Sequence, residues 1–303
     1  MNAIVAAMPF RGSPSSAQSV VPPLLSLCEQ ASAAIVAAYA EADPGASSSS
    51  GSDGTPRGLL RKKADKSPLT AADLASHDIL AAGLAEITPG VPILSEESPP
   101  EEVADRRSWS ELWMVDPLDG TREFLERTGQ FTINIALLRD GRPELGVIFE
   151  PLAGRACIGI VGAGAWTMRR AGGDWAQEPL VTRALPRRDL VVLSSHRHRN
   201  ERLAASLAFL EARFSVERLN SGSALKFCDL AAGVGDVYPR YSACSEWDVA
   251  AGDALVTAAG GVVWGMDRQP LLYNARDTLL SPHFLAVGDP DAALWPSLLR
   301  ELS

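Results

Sequence analysis

Within Val115-Asp116-Pro117-Leu118-Asp119-Gly120-Thr121, two carboxylates, two turn-forming residues and a hydroxyl fall inside one short stretch. The apolar run Leu112-Trp113-Met114-Val115 predicts a buried strand, and Pro117, with no N–H and a fixed φ, forbids its regular continuation. Asp116 and Asp119 then sit at a strand end. A tight turn through Pro117 and Gly120 can aim both side chains and the Leu118 carbonyl at one point, a set of hard oxygen ligands that suits Mg²⁺. Thr121 opens a helix predicted over 121–126, and a helix N-terminus offers free N–H groups to a phosphate. An Asp/Pro/Gly turn without any function uses the same residues, so the pattern gains weight only from partners elsewhere in the chain.

Three further acidic elements are candidates. Asp73 follows Thr70 at the spacing of a capping box and begins a helix predicted over 71–87. Glu96 and Glu97 end the short strand predicted over 91–94. Asp248, in Ser245-Glu246-Trp247-Asp248, starts a helix predicted to run to about Ala259, again with capping-box spacing. Helix caps and solvated loop charge account for each of these taken singly.

The elements that must position them follow from periodicity. Leu24, Leu27, Cys28, Ala31, Ile35 and Tyr39 recur at helical spacing and predict a first helix over 24–40. Strands over 131–138 and 144–149 predict a hairpin across Arg139-Asp140-Gly141-Arg142-Pro143, followed by a strand over 156–161. The glycine-rich turn at 162–166 matches no phosphate-loop or dinucleotide fingerprint and is assigned no cofactor. The second half alternates: strands over 190–193, 215–219, 236–238 and 262–264, with helices over 201–214, 224–231 and 245–259. That alternation implies a layered α/β region. Residues 1–22, rich in Ala, Ser and Pro, read as a disordered extension, and the Ser-rich stretch 43–58 as a flexible loop. The remainder, 23–303, reads as one catalytic domain, an N-terminal α+β half to about 182 and a C-terminal α/β half from about 183.

Nearly half the residues are apolar, so a sizeable core is within reach. A net charge of −9 argues against a nucleic-acid polymer as partner, because such binding rests on Lys and Arg neutralising phosphates. Cys28, Cys157, Cys228 and Cys244 are scattered without a C-x-x-C pair and read as core thiols in a reducing compartment. No apolar run is expected to reach membrane-spanning length, and residues 1–20 lack the features of a secretory signal. Cytoplasm is the expected location, with peripheral attachment to the cytoplasmic face of the inner membrane as a variant.

In order and local context, Asp73, Glu96-Glu97, Asp116-Pro117-Leu118-Asp119-Gly120-Thr121 and Trp247-Asp248-Val249-Ala250-Ala251 resemble the signature of the inositol monophosphatase-like superfamily of Mg²⁺-dependent phosphatases. Within it, Lys63-Ala64-Asp65, Ser67 to Asp73, Pro92 to Glu97, Phe131 to Leu137, Gly222 to Cys228 and Leu271-Leu272-Tyr273 are most similar to the CysQ-type 3'(2'),5'-bisphosphate nucleotidases. The resemblance runs from about Leu24 to the C-terminus.

The resemblance implies a layered α-β-α-β-α sandwich of the inositol monophosphatase and fructose bisphosphatase type. It implies that Glu96, Asp116 and the Leu118 carbonyl hold one Mg²⁺, that Asp116, Asp119 and Asp248 hold a second, and that two or three ions act in all. Thr121, hydrogen-bonded to Asp73, would orient the attacking water, with Glu97 behind the ligands. Glu96, Leu118, Asp119, Gly120, Thr121 and Asp248 would border the phosphate, while Ser221, Gly222, Ser223 and Lys226 would contact the nucleotide. His196 or His198 is a further candidate contact, and a solvated basic loop explains both equally well. The expected activity is removal of the 3'-phosphate of adenosine 3',5'-bisphosphate, and of its sulfated precursor, in sulfur assimilation, by a monomer or homodimer acting on a small nucleotide. An inositol or sugar phosphatase of the same superfamily is the first alternative. A noncatalytic metal- or nucleotide-binding regulator is the second, and loss of a ligand or of Thr121 would favour it.

Overall fold

A computed structural model describes residues 14–41, 60–62, 68–185, 188–195 and 200–302. Helices α1 (Pro14–Ser19) and α2 (Val21–Glu41) come first, then the short antiparallel pair β1 (Leu60–Lys62) and β2 (Pro68–Thr70), and α3 (Ala71–Ile87). Strands β3 (Ile93–Ser95) and β4 (Glu111–Asp119) lead to the single turn α4 (Thr121–Leu125). Strands β5 (Thr132–Arg139), β6 (Arg142–Glu150), β7 (Arg155–Ile160), β8 (Gly164–Ala171) and β9 (Asp174–Leu180) then complete a seven-stranded sheet in the order β3-β4-β5-β6-β7-β8-β9. Only β3 and β4 pair in parallel there. The β5–β6 reversal uses two residues, Asp140 at φ 49° and Gly141 at φ 73°, the positive pair that suits the twist of a tight hairpin.

The second half contains β10 (Asp189–Ser194), α5 (Glu201–Glu211), β11 (Ser215–Asn220), α6 (Leu225–Ala231), β12 (Val237–Arg240), α7 (Ala250–Ala258), β13 (Val262–Gly265), β14 (Phe284–Val287) and α8 (Leu294–Glu301). Its five-stranded sheet runs β11-β10-β12-β14-β13.

Alternation along the strands sorts the side chains into layers. Trp113, Val115, Ile135, Leu137 and Val147 face α2 and α3. Their neighbours Leu112, Met114, Ala136, Leu138 and Ile148 face the opposite way, onto α6 and α7. The same middle layer receives Leu193, Tyr238, Val263 and Phe284 from the second sheet, whose far face packs Leu190, Val192, Val237 and Leu285 on α5 and α8. The result is the α-β-α-β-α stack, α2/α3, sheet, α6/α7, sheet, α5/α8. Each fully buried Leu or Ile in it contributes about 1.5–3 kcal/mol.

Close packing is tightest where α7 crosses the first sheet. Gly146 and Gly159 are paired across β6 and β7. A Cβ on Gly146 would lie 2.2 Å from the Ala251 carbonyl oxygen, and one on Gly159 2.4 Å from the Leu255 Cα.

Two expectations are corrected. Residues 14–22 are not part of a disordered extension: they are helical, and Ala17 and Val20 are buried against the α2/α3 core. The helical run Ala17–Glu41, 25 residues containing an 18-residue window of mean hydropathy 1.5, is also long and apolar enough to cross a membrane. Packing gives it another use, since Leu24, Leu25, Cys28, Ala31 and Ile35 are at most 1% exposed against α3 and the sheet. Periodicity missed β8, β9, β14 and α8. Among the described residues Cys28, Cys157 and Cys228 are buried free thiols and Cys244 is half-buried. Residues 43–58, His196 and His198 lie outside the described residues.

Candidate metal centre

Strand β4 is regular until Asp116 pairs with Asn134, after which the register shifts before Asp119 pairs with Thr132. The irregularity follows from Pro117, which cannot donate to the ladder. Its carbonyl instead accepts from the Ser76 hydroxyl of α3 at 2.8 Å, and Asp116 Oδ1 accepts from the Leu118 N–H at 3.1 Å. Gly120 then turns the chain at φ 90°, and a side chain there would meet Gln130 and Phe131. Only a glycine makes that turn without strain.

This geometry and the start of α7 bring the carboxylate oxygens of Asp116, Asp119 and Asp248 within 4.8 Å of one another. Asp116 is 1% exposed. Burial, reinforced by Glu96, Asp119, Asp248 and Asp73, pushes its carboxyl well above the usual range. Burial and Asp119 push Asp248 up to about 7, with Glu96 adding to the repulsion and the Ser245 N–H and Arg240 opposing it. Such mutual repulsion is relieved by a divalent cation, and an all-oxygen donor set suits a hard one. Asp73, 1% exposed in the first turn of α3, is the fourth carboxylate felt by Asp116. Glu96 reaches the group from the end of β3, where its N–H donates to the Val115 carbonyl at 3.1 Å.

The remaining predicted residues fall into place unevenly. Thr121 Oγ1 donates to the Leu118 carbonyl at 3.3 Å, where a bond to Asp73 was expected. Glu97 is half-buried on the same turn as Glu96, its N–H on Ser95 Oγ at 3.3 Å. The predicted helix after Thr121 shrinks to the five residues of α4, too short to present a terminus of regular helical dipole. Asp248 Oδ2 accepts from the Ser245 N–H at 2.9 Å, so the capping contact and the convergent position coexist.

From the second half, Ser223 at φ 46° donates to Asp119 Oδ2 at 2.6 Å. Lys226, expected at the nucleotide, has its ammonium bonded to the protein's own loop. It is 2% exposed, and its ammonium donates to the carbonyls of Ser221 at 2.9 Å and Ser223 at 2.5 Å. Burial lowers it to about 8 although Asp119 works against the shift. Its place is beneath the 221–223 loop. Ser221 is likewise occupied, on Asp229 at 2.8 Å.

Several supports were missed. Asn134 Nδ2 donates to Asp119 at 3.3 Å, and Thr132 links Asn134 at 2.8 Å with Ser223 at 2.6 Å. Gln130 Oε1 accepts from the Gly222 N–H at 2.9 Å. Arg240 at the end of β12 is the cation beside Asp248. Thr132 and Asn134 lie in the 131–137 stretch that carries the family resemblance, as alternate positions on a strand beside an acidic strand end, but no role was read for either. Nothing in the sequence pointed to Gln130 or Arg240.

A five-layer α/β stack with an acidic cluster at the junction of its two sheets defines a class of metal-binding enzyme scaffolds. Residues 18–293 match the model of the inositol monophosphatase family, and the chain belongs to that family, whose members are metal-dependent. It is 40% identical over 237 residues to the 3'(2'),5'-bisphosphate nucleotidase CysQ of Escherichia coli K12, covering 77% of this chain and 90% of that protein. The CysQ of Aggregatibacter actinomycetemcomitans is 34% identical over 75% of this chain and 82% of its own length. The crystal structure of CysQ from Bacteroides thetaiotaomicron superposes with a TM-score of 0.75 at 33% identity, over 90% of this chain and 98% of that one. A suhB protein from Bartonella henselae shares the fold, with a TM-score of 0.67 at 23% identity, over 94% of this chain and 98% of its own.

Proposed function

We propose that this chain is a Mg²⁺-dependent 3'(2'),5'-bisphosphate nucleotidase that releases the 3'-phosphate of adenosine 3',5'-bisphosphate to give AMP. The observation that carries this reading is the convergence of Asp116, Asp119 and Asp248 within 4.8 Å, in a chain 40% identical to CysQ. Glu96, Asp116 and the Leu118 carbonyl would hold one ion, and Asp116, Asp119 and Asp248 a second. Bound there, divalent cations supply a more acidic water and neutralise charge on the phosphoryl oxygens. The protein's own part is orientation. Ser223 and Asn134 fix the Asp119 carboxylate, and Asp73 would take the proton of the attacking water through the Thr121 hydroxyl once that hydroxyl turns from the Leu118 carbonyl to Asp73. Lys226, held below the 221–223 loop, keeps that loop against Asp119, and Arg240 adds positive charge on the far side for an anionic substrate. The two halves of residues 23–303 work as one catalytic unit, because the carboxylates come from both.

Phosphate release from adenosine 3',5'-bisphosphate, inositol 1-phosphate and fructose 1,6-bisphosphate, each with Mg²⁺ and with EDTA, tests the reading. The bisphosphate nucleotide should be preferred, and only with the metal. A preference for inositol 1-phosphate would transfer the assignment to the other branch of the family, and release that persists in EDTA would remove the metal from it.

A further inference from the structure

Asp248 is aimed by a turn whose only cross-strand support among the described residues is an isolated bridge between Ser245 and Leu280, and the side chain anchoring that turn is Glu246. This side chain is 0% exposed. Its Oε2 accepts from the Asn274 N–H and its Oε1 from Arg276 Nη2, each at 2.6 Å. Its backbone N–H donates to the Leu279 carbonyl at 2.8 Å, and its own carbonyl receives the N–H groups of Val249 and Ala250 at 3.1 and 3.0 Å. The first turn of α7 therefore starts from a residue fixed at both its main chain and its carboxylate.

The anchor extends to the other side of the site. Asn274, at φ 55°, offers its side-chain amide to Arg106 in both directions: Oδ1 accepts from Nη1 at 2.7 Å, and Nδ2 donates to the Arg106 carbonyl at 2.6 Å. Arg106 is 8% exposed and also donates to the carbonyls of Arg276 at 2.9 Å and Asp277 at 2.5 Å. It lies on the segment that leads from Glu96–Glu97 into β4. A chain of buried, charge-assisted bonds thus joins the approach to Glu96 with the approach to Asp248, the two ligand-bearing segments that come from outside the β4 turn.

We infer that Glu246 is a positioning residue for metal binding: with Asn274, Arg276 and Arg106 it holds the Asp248 turn in register with the Glu96 segment before the ion arrives. The inference rests on the metal reading above. Without such a tie, four mutually repelling carboxylates would drift apart in the metal-free protein, and binding would have to restore their spacing. Partners standing behind metal ligands are commonly worth about tenfold to a hundredfold in metal affinity.

Calorimetric titration of EDTA-stripped protein with MgCl₂ alone tests it, with turnover at saturating Mg²⁺ read separately. Glu246→Gln keeps the shape and the bond from Asn274 but loses the charge facing Arg276. It should bind Mg²⁺ about tenfold more weakly, while turnover at saturating metal stays close to that of the parent. Asn274→Gly keeps the positive φ and the backbone donor to Glu246 but cuts the link to Arg106. Arg276→Gln removes a half-exposed partner. Both should weaken Mg²⁺ binding in the same direction and remain usable should Glu246→Gln fail to fold. Unchanged Mg²⁺ affinity in the folded variants, even with a lowered melting temperature, would reduce the network to scaffold and overturn the inference. A parent protein that binds no Mg²⁺ at all would instead overturn the metal reading on which it rests.

Discussion

The β4 turn and the start of α7 both deliver carboxylates to one point, and they are supported in opposite ways. Asp116 and Asp119 are held mostly by what is nearby, the Leu118 N–H, Asn134 on the adjacent strand and Ser76 on the Pro117 carbonyl, with Ser223 reaching Asp119 from the second half. Asp248 has one close bond of its own, to Ser245, and depends otherwise on Glu246 and partners far along the chain at Asn274 and Arg276. A strand end inside a sheet inherits its precision from the ladder. The loop that opens α7 has a single bridge, Ser245 with Leu280, in place of a ladder, and leans on buried ionic ties, which are costly to leave half-made.

The largest expected effect breaks the β4 side. Asp119→Asn barely changes volume but removes a charged ligand, so turnover should fall by roughly two to four orders of magnitude with the melting temperature kept. Near-full activity would show that Asp119 is no ligand. Ser223→Ala, which deletes a donor to Asp119 from the opposite half, should weaken Mg²⁺ binding by about tenfold, measured as the half-saturating Mg²⁺ concentration. If that value does not move, the two halves do not meet at Asp119 in the working enzyme.

Lys226→Met sharpens the comparison further. It leaves the carbonyls of Ser221 and Ser223 without their shared donor, a cost of roughly 1–3 kcal/mol for a buried polar group. Because the ammonium supports a loop, efficiency should drop in similar proportion on adenosine 3',5'-bisphosphate and inositol 1-phosphate, alongside a lower melting temperature. A loss confined to the nucleotide would mean that the lysine reaches the substrate after all.

The smallest effect is one of pH. Asp248 is raised to about 7, and Asp116 is raised too. The metal-free folded protein therefore keeps protons that the unfolded chain releases near pH 4. The stability this lends is complete in acid and drains away as pH climbs towards 7. Metal entry requires the same protons to leave. The Mg²⁺-induced rise in melting temperature should accordingly be larger at pH 8 than at pH 5.5, and equal rises would mean that both carboxylates are already ionised without metal.

The same contrast governs what could be read in the sequence. The β4 turn was legible because its ligands, its breaker Pro117 and its hinge Gly120 are contiguous, and a layered α/β second half was legible because strand–helix alternation is local, whereas the five-layer stack came from the family resemblance. Asp248 was found through its short motif, but Glu246, Asn274, Arg106 and Gln130 were not, since what makes each of them matter is a partner distant in the chain, and Arg240, though near Asp248 in the chain, belongs to no motif. Lys226 reads differently in sequence and structure for a related reason: a lysine near a glycine-rich loop looks like an anion contact until its burial and its bonds to the Ser221 and Ser223 carbonyls come into view. The terminal helix was mistaken for a tail because Pro and Ser dilute its apolar face, which only the sheet makes visible.

The glycine notch of β6 and β7 gives the site a mechanical datum. Where two structural layers meet through side chains, their spacing can creep as methyl groups are gained or lost. Where Ala251 and Leu255 rest backbone-on-backbone against Gly146 and Gly159, there is no shim to change. The helix that follows Asp248 is thereby seated at a fixed height over the sheet that carries Asp116, a height set by main chain where the lateral ties of the site are set by side chains. A single added methyl at either glycine would lift the helix and, with it, open the jaws of the site.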